Sequence, residues 1–198
     1  DSPEWEDGKL TAGKHAAKEK NNLQLRRDSD LSIKFSGLIT KKILSNELIK
    51  SFALPKKIHG TIFSKSTSGM KYGRHIDNAY MSSGRADLSF TVFLNCKKKY
   101  EGGALSIQGL NSEEKFKLDA GEIIIYPSTY LHSVEKVIDG ERLVFIGWIE
   151  SYVKSIEERE YLFDLDAAAR SLLAKYGKSE EVDLIYKSYS NFLRRLGN

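Results

Sequence analysis

The sequence predicts an α+β fold of one domain, in which helices flank a β-barrel-like centre. A length of 198 residues suits a single domain with a sizeable core. Between residues 58 and 149, short runs rich in β-branched and aromatic residues follow one another, separated by turn signals. Before and after this region, apolar residues recur at helical spacing. Many short strands with regular turn signals are typical of a sandwich or barrel.

The N-terminal part predicts one helix. Residues 1–30 are polar without a clear period, and their apolar anchors are Trp5, Leu23 and Leu25. An amphipathic helix is predicted over residues 40–53, ending before Pro55. Its apolar face consists of Leu44, Leu48 and Phe52. At the other end of the chain, helical periodicity returns from Ile156 and again after Gly177, which predicts two C-terminal helices.

The β-rich runs in the middle of the chain are predicted to be strands. They are residues 58–63, 88–95, 104–108, 115–118, 122–126, 132–137 and 142–149. The last run is apolar on both faces: Val144, Ile146 and Trp148 lie on one side, and Leu143, Phe145 and Ile149 on the other. Such a strand needs cover on both faces, and the flanking helices can supply it.

Composition favours an ordinary globular protein. The net charge of +4 comes with short lysine clusters that are not interleaved with aromatic residues, so a solvated surface explains them better than a nucleic-acid patch. Cys96 is the only cysteine, which excludes an internal disulfide and suits a reducing, cytoplasmic compartment. No apolar run approaches the length of a membrane span, so no membrane partner is expected.

Two histidines and one aspartate form a candidate metal site. His75 and Asp77 are two residues apart, so their side chains point to the same face of an extended backbone. His132 comes much later, and a barrel could bring it to the same point. Two histidines and one carboxylate leave coordination positions free, as non-haem iron oxygenases require. The alternative is a hydrogen-bonded surface role for His75, beside an Asx turn at Asp77-Asn78.

Arg142 is a candidate anion-binding residue. Residues 132–149 are predicted to form a hairpin that turns near Asp139-Gly140. With a three-residue loop, Lys136 faces Arg142, and His132 lies on the same sheet face roughly 13 Å from Arg142. An arginine and a five-carbon diacid could bridge that distance. A two-residue loop would place Arg142 on the opposite face. The alternative role is a surface ion pair, for which a long apolar strand is an unusual location.

Other polar candidates receive structural roles. His15 lies in a polar stretch and is predicted to be solvent-exposed, and His59 is predicted to be structural rather than a ligand. Gly102-Gly103 predicts a turn or bulge, because a phosphate-binding loop would need a lysine and a following helix.

A series of motifs runs through nearly the whole chain. They include Trp5-Glu6-Asp7-Gly8, Lys20-Asn21-Asn22-Leu23-Gln24-Leu25, Tyr72-Gly73-Arg74-His75-Ile76-Asp77-Asn78, Tyr100-Glu101-Gly102-Gly103, Leu131-His132, Gly140-Glu141-Arg142 and Leu162-Phe163-Asp164-Leu165-Asp166. In this order they resemble the PKHD-type hydroxylases, a bacterial branch of the prolyl 4-hydroxylase-like Fe(II)/2-oxoglutarate oxygenases.

The resemblance implies a double-stranded β-helix, which is a jelly-roll, cupin-like barrel with flanking helices. The predicted division is N-terminal helical support in residues 1–55, the β-helix core in 56–150 and C-terminal helices in 151–198. The resemblance also implies that His75, Asp77 and His132 bind Fe(II), and that Arg142 pairs with the distal carboxylate of the cosubstrate 2-oxoglutarate. L-ascorbate is the expected reductant. Family members often have a tyrosine where this chain has Ser66, so we expect one hydrogen bond fewer to the cosubstrate.

The predicted activity is hydroxylation of a C–H bond, on a prolyl or other protein side chain, with release of succinate and CO2. The alternatives are a free amino acid or small metabolite as substrate, and a non-catalytic cupin-like metal- or ligand-binding protein. A halogenase would need the ligand position that Asp77 fills. A nucleic-acid demethylase would typically carry a second arginine on the strand after Arg142, where residues 143–148 have none, so no nucleic-acid partner is expected. The oligomeric state stays open, with a homodimer among the options.

Two polar segments that flank His75 and Asp77 are predicted to form loops at the barrel mouth. They are residues 64–71 and 78–86, which are small, polar and glycine-containing. The cations expected to be exposed there are Lys65, Lys71, Arg74 and Arg85. They would create a positive field suited to an acidic partner. The alternative is that the loops only cap the barrel and their charges are solvated.

Overall fold

Two antiparallel sheets line a common cavity in the middle of the fold, and helices pack around them. The structure is a computed structural model that describes residues 4–11, 16–109 and 111–198. The prediction for His15 therefore lies outside the described residues. The helices are α1 Asp30–Leu44, α2 Glu47–Ala53, α3 Ile156–Tyr176 and α4 Glu180–Leu196. Among the described residues, no helix is long and apolar enough to cross a membrane.

The chain passes between the two sheets several times. They are β1 Trp5–Asp7, β2 Lys20–Asn21, β3 Leu23–Leu25, β4 Pro55–Thr67, β5 Lys71–His75, β6 Tyr80–Met81, β7 Gly84–Arg85, β8 Leu88–Phe93, β9 Tyr100–Gly102, β10 Leu105–Gln108, β11 Glu113–Phe116, β12 Ile123–Pro127, β13 His132–Val134 and β14 Val137–Ser151. The large sheet has the order β1-β3-β4-β14-β8-β12, with β9 also paired to β14, and the small sheet has the order β11-β10-β13-β5-β2. Strands β6 and β7 form a separate hairpin. Every predicted β-rich run contains a strand, although the ends differ by a few residues.

Each helix begins at a polar side chain that accepts a hydrogen bond from the backbone N–H three residues further on. The pairs are Ser29 with Ser32, Asn46 with Ile49, Ser155 with Glu158, and Ser179 with Val182. This contact satisfies one of the N–H groups that have no partner inside the helix. The predicted C-terminal helices are confirmed as α3 and α4, which end at the Gly177 break and near the C-terminus.

The single helix predicted over residues 40–53 is wrong. The chain forms α1 and α2 instead, because Ser45 and Asn46 leave the helix and Asn46 caps α2. This break shifts the helical phase, so Ile43 and Ile49 are buried while Leu48 is 62 % exposed. The amphipathic pattern therefore detected helical structure between residues 40 and 53, but it missed the first ten residues of α1 and did not give the residues that face the core.

The hairpin predicted near Asp139-Gly140 is also wrong. Strand β14 passes straight through this point, pairing first with β9 and then with β4. Gly140 has a φ of 79°, and a Cβ there would collide with the carbonyl oxygen of Lys99, which lies in a neighbouring segment of the same chain. The glycine thus marks a close approach of two backbones rather than a turn. Arg142 lies opposite Ser66, not Lys136, and belongs to a different sheet from His132.

The alternation of side chains along β14 separates the main core from the cavity. Phe145 and Ile149 are fully buried in a cluster that includes Ile43 and Ile49 of the N-terminal helices. Val144, Ile146 and Trp148 face the cavity between the sheets. This arrangement confirms the prediction that both faces of the strand are covered. A smaller cluster around Leu162 packs the C-terminal helices against Leu54, at the end of α2, and Val153, just after β14.

Candidate metal centre and cosubstrate pocket

The small sheet brings the two candidate histidines together. His132 on β13 lies directly opposite His75, the last residue of β5, and Asp77 follows two residues later. One potential ligand atom from each of the three residues lies within 4.8 Å of the others. Nε2 of His132 is 3.8 Å from Oδ2 of Asp77. The structure therefore places the predicted His-Asp-His set in one cluster, which the spacing of residues could only suggest.

Both imidazole rings are oriented by the backbone. Nδ1 of His75 is 2.8 Å from the carbonyl oxygen of Gly73, and Nδ1 of His132 is 3.0 Å from that of Tyr130. A carbonyl oxygen only accepts hydrogen bonds, so each Nδ1 carries a proton and Nε2 is the ring atom left for a metal ion. Outer contacts of this kind fix the tautomer and orientation of metal-binding histidines.

Two buried serines hold the aspartate. The Ser89 hydroxyl donates to Oδ2 of Asp77 at 2.6 Å, and Oγ of Ser128 lies 2.7 Å from Oγ of Ser89. Sequence reasoning missed both serines. The available signal was Ser89 itself, a polar residue in the fully buried strand β8.

The environment keeps His75 neutral. Burial is the largest of the effects that lower the pKa of His75 to about 4. The neutral ring is the form that binds a metal ion. Tyr72 stacks on His75 with 3.7 Å between ring centroids, and burial raises the pKa of its phenol. The tyrosine therefore stays uncharged and shields one side of the cluster.

Arg142 is a buried cation without an acidic partner. It is 3 % exposed and lies over the ring of Phe93 at 5.5 Å. Among the described residues, its Nε has no hydrogen-bond partner and no carboxylate forms an ion pair with it. Burial lowers its pKa, while Tyr100 and Tyr126 act in the opposite direction. An isolated buried charge is costly, so this guanidinium is suited to an anion that enters the cavity.

Small polar residues lie around Arg142. Ser66 is opposite it on β4 and is 3 % exposed, and Ser64 lies two residues before. Asn22 donates to Oγ of Ser64 at 2.7 Å, while Oδ1 of Asn22 has no hydrogen-bond partner within the described part of the chain. The polar N-terminal segment thus supplies part of the pocket wall, a contribution that its sequence did not reveal.

One cavity joins the His-Asp-His cluster to Arg142. Its volume is about 880 Å³, within the usual range for ligand pockets. Apolar side chains from both sheets, including Ile62, Leu105 and Ile146, line the same space. The cavity is therefore large enough for more than a five-carbon acid.

The mouth of the cavity differs from its prediction. Lys65 is only 8 % exposed, with Nζ 3.7 Å from Glu141 and 4.6 Å from the Trp5 ring centroid. Arg85 binds Asp87 through two nitrogens and the Ser151 carbonyl through one. Neither is an exposed charge, because each is held by acidic or carbonyl oxygens of neighbouring strands. Lys71 and Arg74 are exposed as predicted.

The remaining histidine of the β region is structural, as predicted. The ring nitrogens of His59 lie 2.8 Å from Oγ of Ser83 and 2.8 Å from the carbonyl oxygen of Arg85. His59 therefore ties β4 to the β6–β7 hairpin at the cavity mouth, in a segment that had been predicted as a loop.

Comparison with solved structures and a family model shows the fold. The 2OG-Fe(II) oxygenase superfamily model matches residues 61–150. A prolyl-4-hydroxylase of Pseudomonas putida is 18% identical with a TM-score of 0.51, covering 68% of this chain and 74% of that one. A Trichoplax adhaerens prolyl hydroxylase, in complex with a hypoxia inducible factor peptide fragment, has a TM-score of 0.52 at 16% identity. The match covers 81% of this chain and 74% of that one. The fold is thus the jelly-roll of 2-oxoglutarate oxygenases, with added helices.

Sequence relatives narrow the class to one family. A PKHD-type hydroxylase of Prochlorococcus marinus strain MIT 9215 is 77% identical over 98% of this chain and 87% of its own length. Another, from strain MIT 9515, is 71% identical over 98% of this chain and 88% of its own length. The PKHD-type hydroxylase C-terminal domain model matches residues 157–197. The chain belongs to the PKHD-type hydroxylases, which makes it a 2-oxoglutarate-dependent Fe(II) dioxygenase and removes the non-catalytic alternative.

Proposed function

We propose that His75, Asp77 and His132 hold Fe(II), and that Arg142 binds the distal carboxylate of 2-oxoglutarate. The reaction proposed is hydroxylation of a prolyl or other protein side chain. One observation carries the proposal. A single cavity joins the His-Asp-His cluster, in which both imidazoles are bonded to the backbone through Nδ1, to a buried arginine that has no acidic partner among the described residues.

The donor set fits the iron. Two neutral imidazoles and one carboxylate are the ligands of non-haem iron oxygenases, and they leave positions for cosubstrate and oxygen. When bound, iron and 2-oxoglutarate supply the activation of O2 that yields succinate, CO2 and a hydroxylated C–H bond. L-ascorbate is proposed as the reductant that keeps the iron in its Fe(II) state.

The protein's own residues position the reactants. Arg142 offers a planar fork that can pair with a carboxylate through two hydrogen bonds. Ser66 lies opposite it and offers a short hydroxyl where a tyrosine would reach further. Val144 and Ile146 line the cavity beside these groups. Their apolar surface limits the water that could compete with the reaction.

The open mouth of the cavity supports a protein side chain as the substrate. The β6–β7 hairpin and the segment that carries Arg74 frame this mouth, and a binding segment on a rigid barrel is a common design. The Trichoplax adhaerens relative was solved with a peptide fragment. A free amino acid or small metabolite is the alternative, since the same cavity could hold either.

The test is succinate release by the protein with Fe(II), 2-oxoglutarate and ascorbate. Peptide libraries and pools of amino acids and metabolites are supplied separately, and products are analysed for a mass gain of one oxygen. We expect peptides to stimulate turnover and to be hydroxylated. If only small molecules do so, the protein-substrate proposal is wrong. If no succinate forms under any condition, the assignment of the site itself fails.

A further inference from the structure

The cavity wall contains cations that neither the metal cluster nor the cosubstrate would use. The charged side chains that line the cavity are Lys20, Arg27, Arg74, Asp77 and Arg142. In the proposed function, on which this inference rests, Fe(II) and Arg142 are balanced by Asp77 and the two carboxylates of 2-oxoglutarate. Lys20, Arg27 and Arg74 then remain at the cavity without an ion-paired carboxylate among the described residues, and of these only Lys20 is buried.

Lys20 is the most confined of these cations. It is 5 % exposed, and its Nζ donates to the Thr11 hydroxyl at 3.1 Å. Among the described residues it forms no ion pair with a carboxylate, and Asp77 and Asp7 act on it only from a distance. Burial and the charge of Arg27 lower its pKa to about 8. A buried ammonium beside a second cation is stabilised by an anion.

The position of Lys20 connects it to the metal cluster. Lys20 pairs with Tyr72 across β2 and β5, and its Nζ lies 5.1 Å from the Tyr72 ring centroid. The same ring stacks on His75. If a substrate binds Lys20 through an anionic group, the carbon atoms beside that group would therefore be separated from the candidate iron site by the Tyr72 ring.

We propose that Lys20, assisted by Arg27, anchors a carboxylate of the prime substrate. The enzyme would then select a C–H bond close to an acidic group. That group is either an acidic side chain beside the hydroxylated residue of a peptide, or the carboxylate of a small acid. Lys20 is a specificity-determining residue in this account, since it orients the substrate rather than the metal or the cosubstrate.

The experiment uses matched pairs of probes. One arm contains proline-centred peptides with glutamate or its isostere glutamine at each neighbouring position. The other arm contains small carboxylic acids and their amides. Substrate-stimulated succinate release and product mass are measured, together with calorimetric binding to the protein loaded with Mn(II) and 2-oxoglutarate. Turnover without any probe reports separately on the proposed function.

We expect the acid to exceed its amide by about 10-fold or more in kcat/KM and in affinity, as for loss of a charge-assisted contact. The preference should disappear in Lys20→Gln, persist partly in Lys20→Arg, and persist fully in Lys71→Gln, the matched control for a cation outside the cavity. Thermal melting checks folding. If Lys20→Gln does not fold, Arg27→Gln should still weaken the preference.

The arms also identify the source of the carboxylate. A preference confined to peptides supports an acidic sequence beside the target residue, and one confined to small acids supports a metabolite. The inference is overturned if wild type treats acid and amide alike in both arms, or if the preference survives in Lys20→Gln. The inference is also overturned if turnover without a probe is intact while no acidic probe binds to the protein or stimulates succinate release.

Discussion

At the scale of single residues, the candidate iron site depends on side chains whose hydrogen bonds fix the atom they present. His75 and His132 each bind a backbone carbonyl two residues earlier in the chain. Asp77 is held through Ser89. These candidate metal ligands could be proposed from the sequence because they match the family's motif. Ser89 could not, since its role depends on a contact between β8 and the segment after β5.

Replacing Asp77 tests the metal site. In Asp77→Ala we expect turnover to be abolished and Fe(II) or Mn(II) affinity to fall, because two neutral imidazoles alone form a weak site. Calorimetric titration measures the affinity. Folding should survive, and a melting curve of the metal-free protein provides that control. An unchanged affinity would exclude Asp77 from the site.

Replacing Ser89 tests the support of the aspartate. Ser89→Ala leaves the ligands in place but frees the Asp77 carboxylate, so we expect metal affinity or activity to fall by about 10- to 100-fold. Metal titration and turnover measure this. The matched control is Ser68→Ala, which removes a hydroxyl that donates to the carbonyl oxygen of the exposed residue Ile138. Equal metal affinity and turnover in Ser89→Ala and Ser68→Ala would show that the contact between Ser89 and Asp77 is not needed.

Replacing Arg142 tests the cosubstrate anchor. Arg142→Lys keeps a charge but not the fork, so we expect the Michaelis constant for 2-oxoglutarate to rise by about 10- to 150-fold, equivalent to roughly 1.5–3 kcal/mol. Initial rates at varied 2-oxoglutarate provide the measurement. Unaltered 2-oxoglutarate affinity in Arg142→Ala would mean that another residue is the anchor.

At the scale of elements, local signals predicted the strands of the β-rich runs and the two C-terminal helices. They missed residues 30–39 of α1 and strand β5, and they did not show how elements continue. The break between α1 and α2 and the passage of β14 through Gly140 both depend on the tertiary structure. Glycine at residue 140 is compatible with a turn and with a crowded strand, and only the approach of Lys99 distinguishes them. The pairing of His132 with His75 likewise joins segments far apart in sequence, so its register cannot be read locally.

The cap of α2 gives a prediction for this scale. Asn46→Ala removes the side-chain acceptor of the Ile49 N–H, so we expect the free energy of unfolding to fall by about 1 kcal/mol. Urea denaturation measures the change. Ser45→Ala, whose hydroxyl bonds the exposed Lys42 carbonyl, is the control. A loss as large in Ser45→Ala would show that capping is not the cause.

At the scale of the whole molecule, the barrel brings four distant segments to one cavity. The small sheet supplies His75 and His132, the large sheet supplies Arg142, and the N-terminal strand β2 supplies Lys20. The family resemblance predicted the barrel and the proposed roles of His75, His132 and Arg142. Lys20 lies in one of the matching motifs, but the resemblance assigned it no role. A lysine in a polar stretch is normally exposed, and only the pairing of β2 with β5 shows that this one is buried.

The central claim is that one cavity holds iron at the His-Asp-His cluster and 2-oxoglutarate at Arg142. The most direct measurement is a crystal structure of the protein with 2-oxoglutarate and Mn(II), which replaces iron without turnover. We predict Mn(II) bound by Nε2 of His75, Nε2 of His132 and the carboxylate of Asp77, with the distal carboxylate of 2-oxoglutarate paired to the Arg142 guanidinium. Metal bound elsewhere, or a cosubstrate carboxylate that makes no contact with Arg142, would contradict this account.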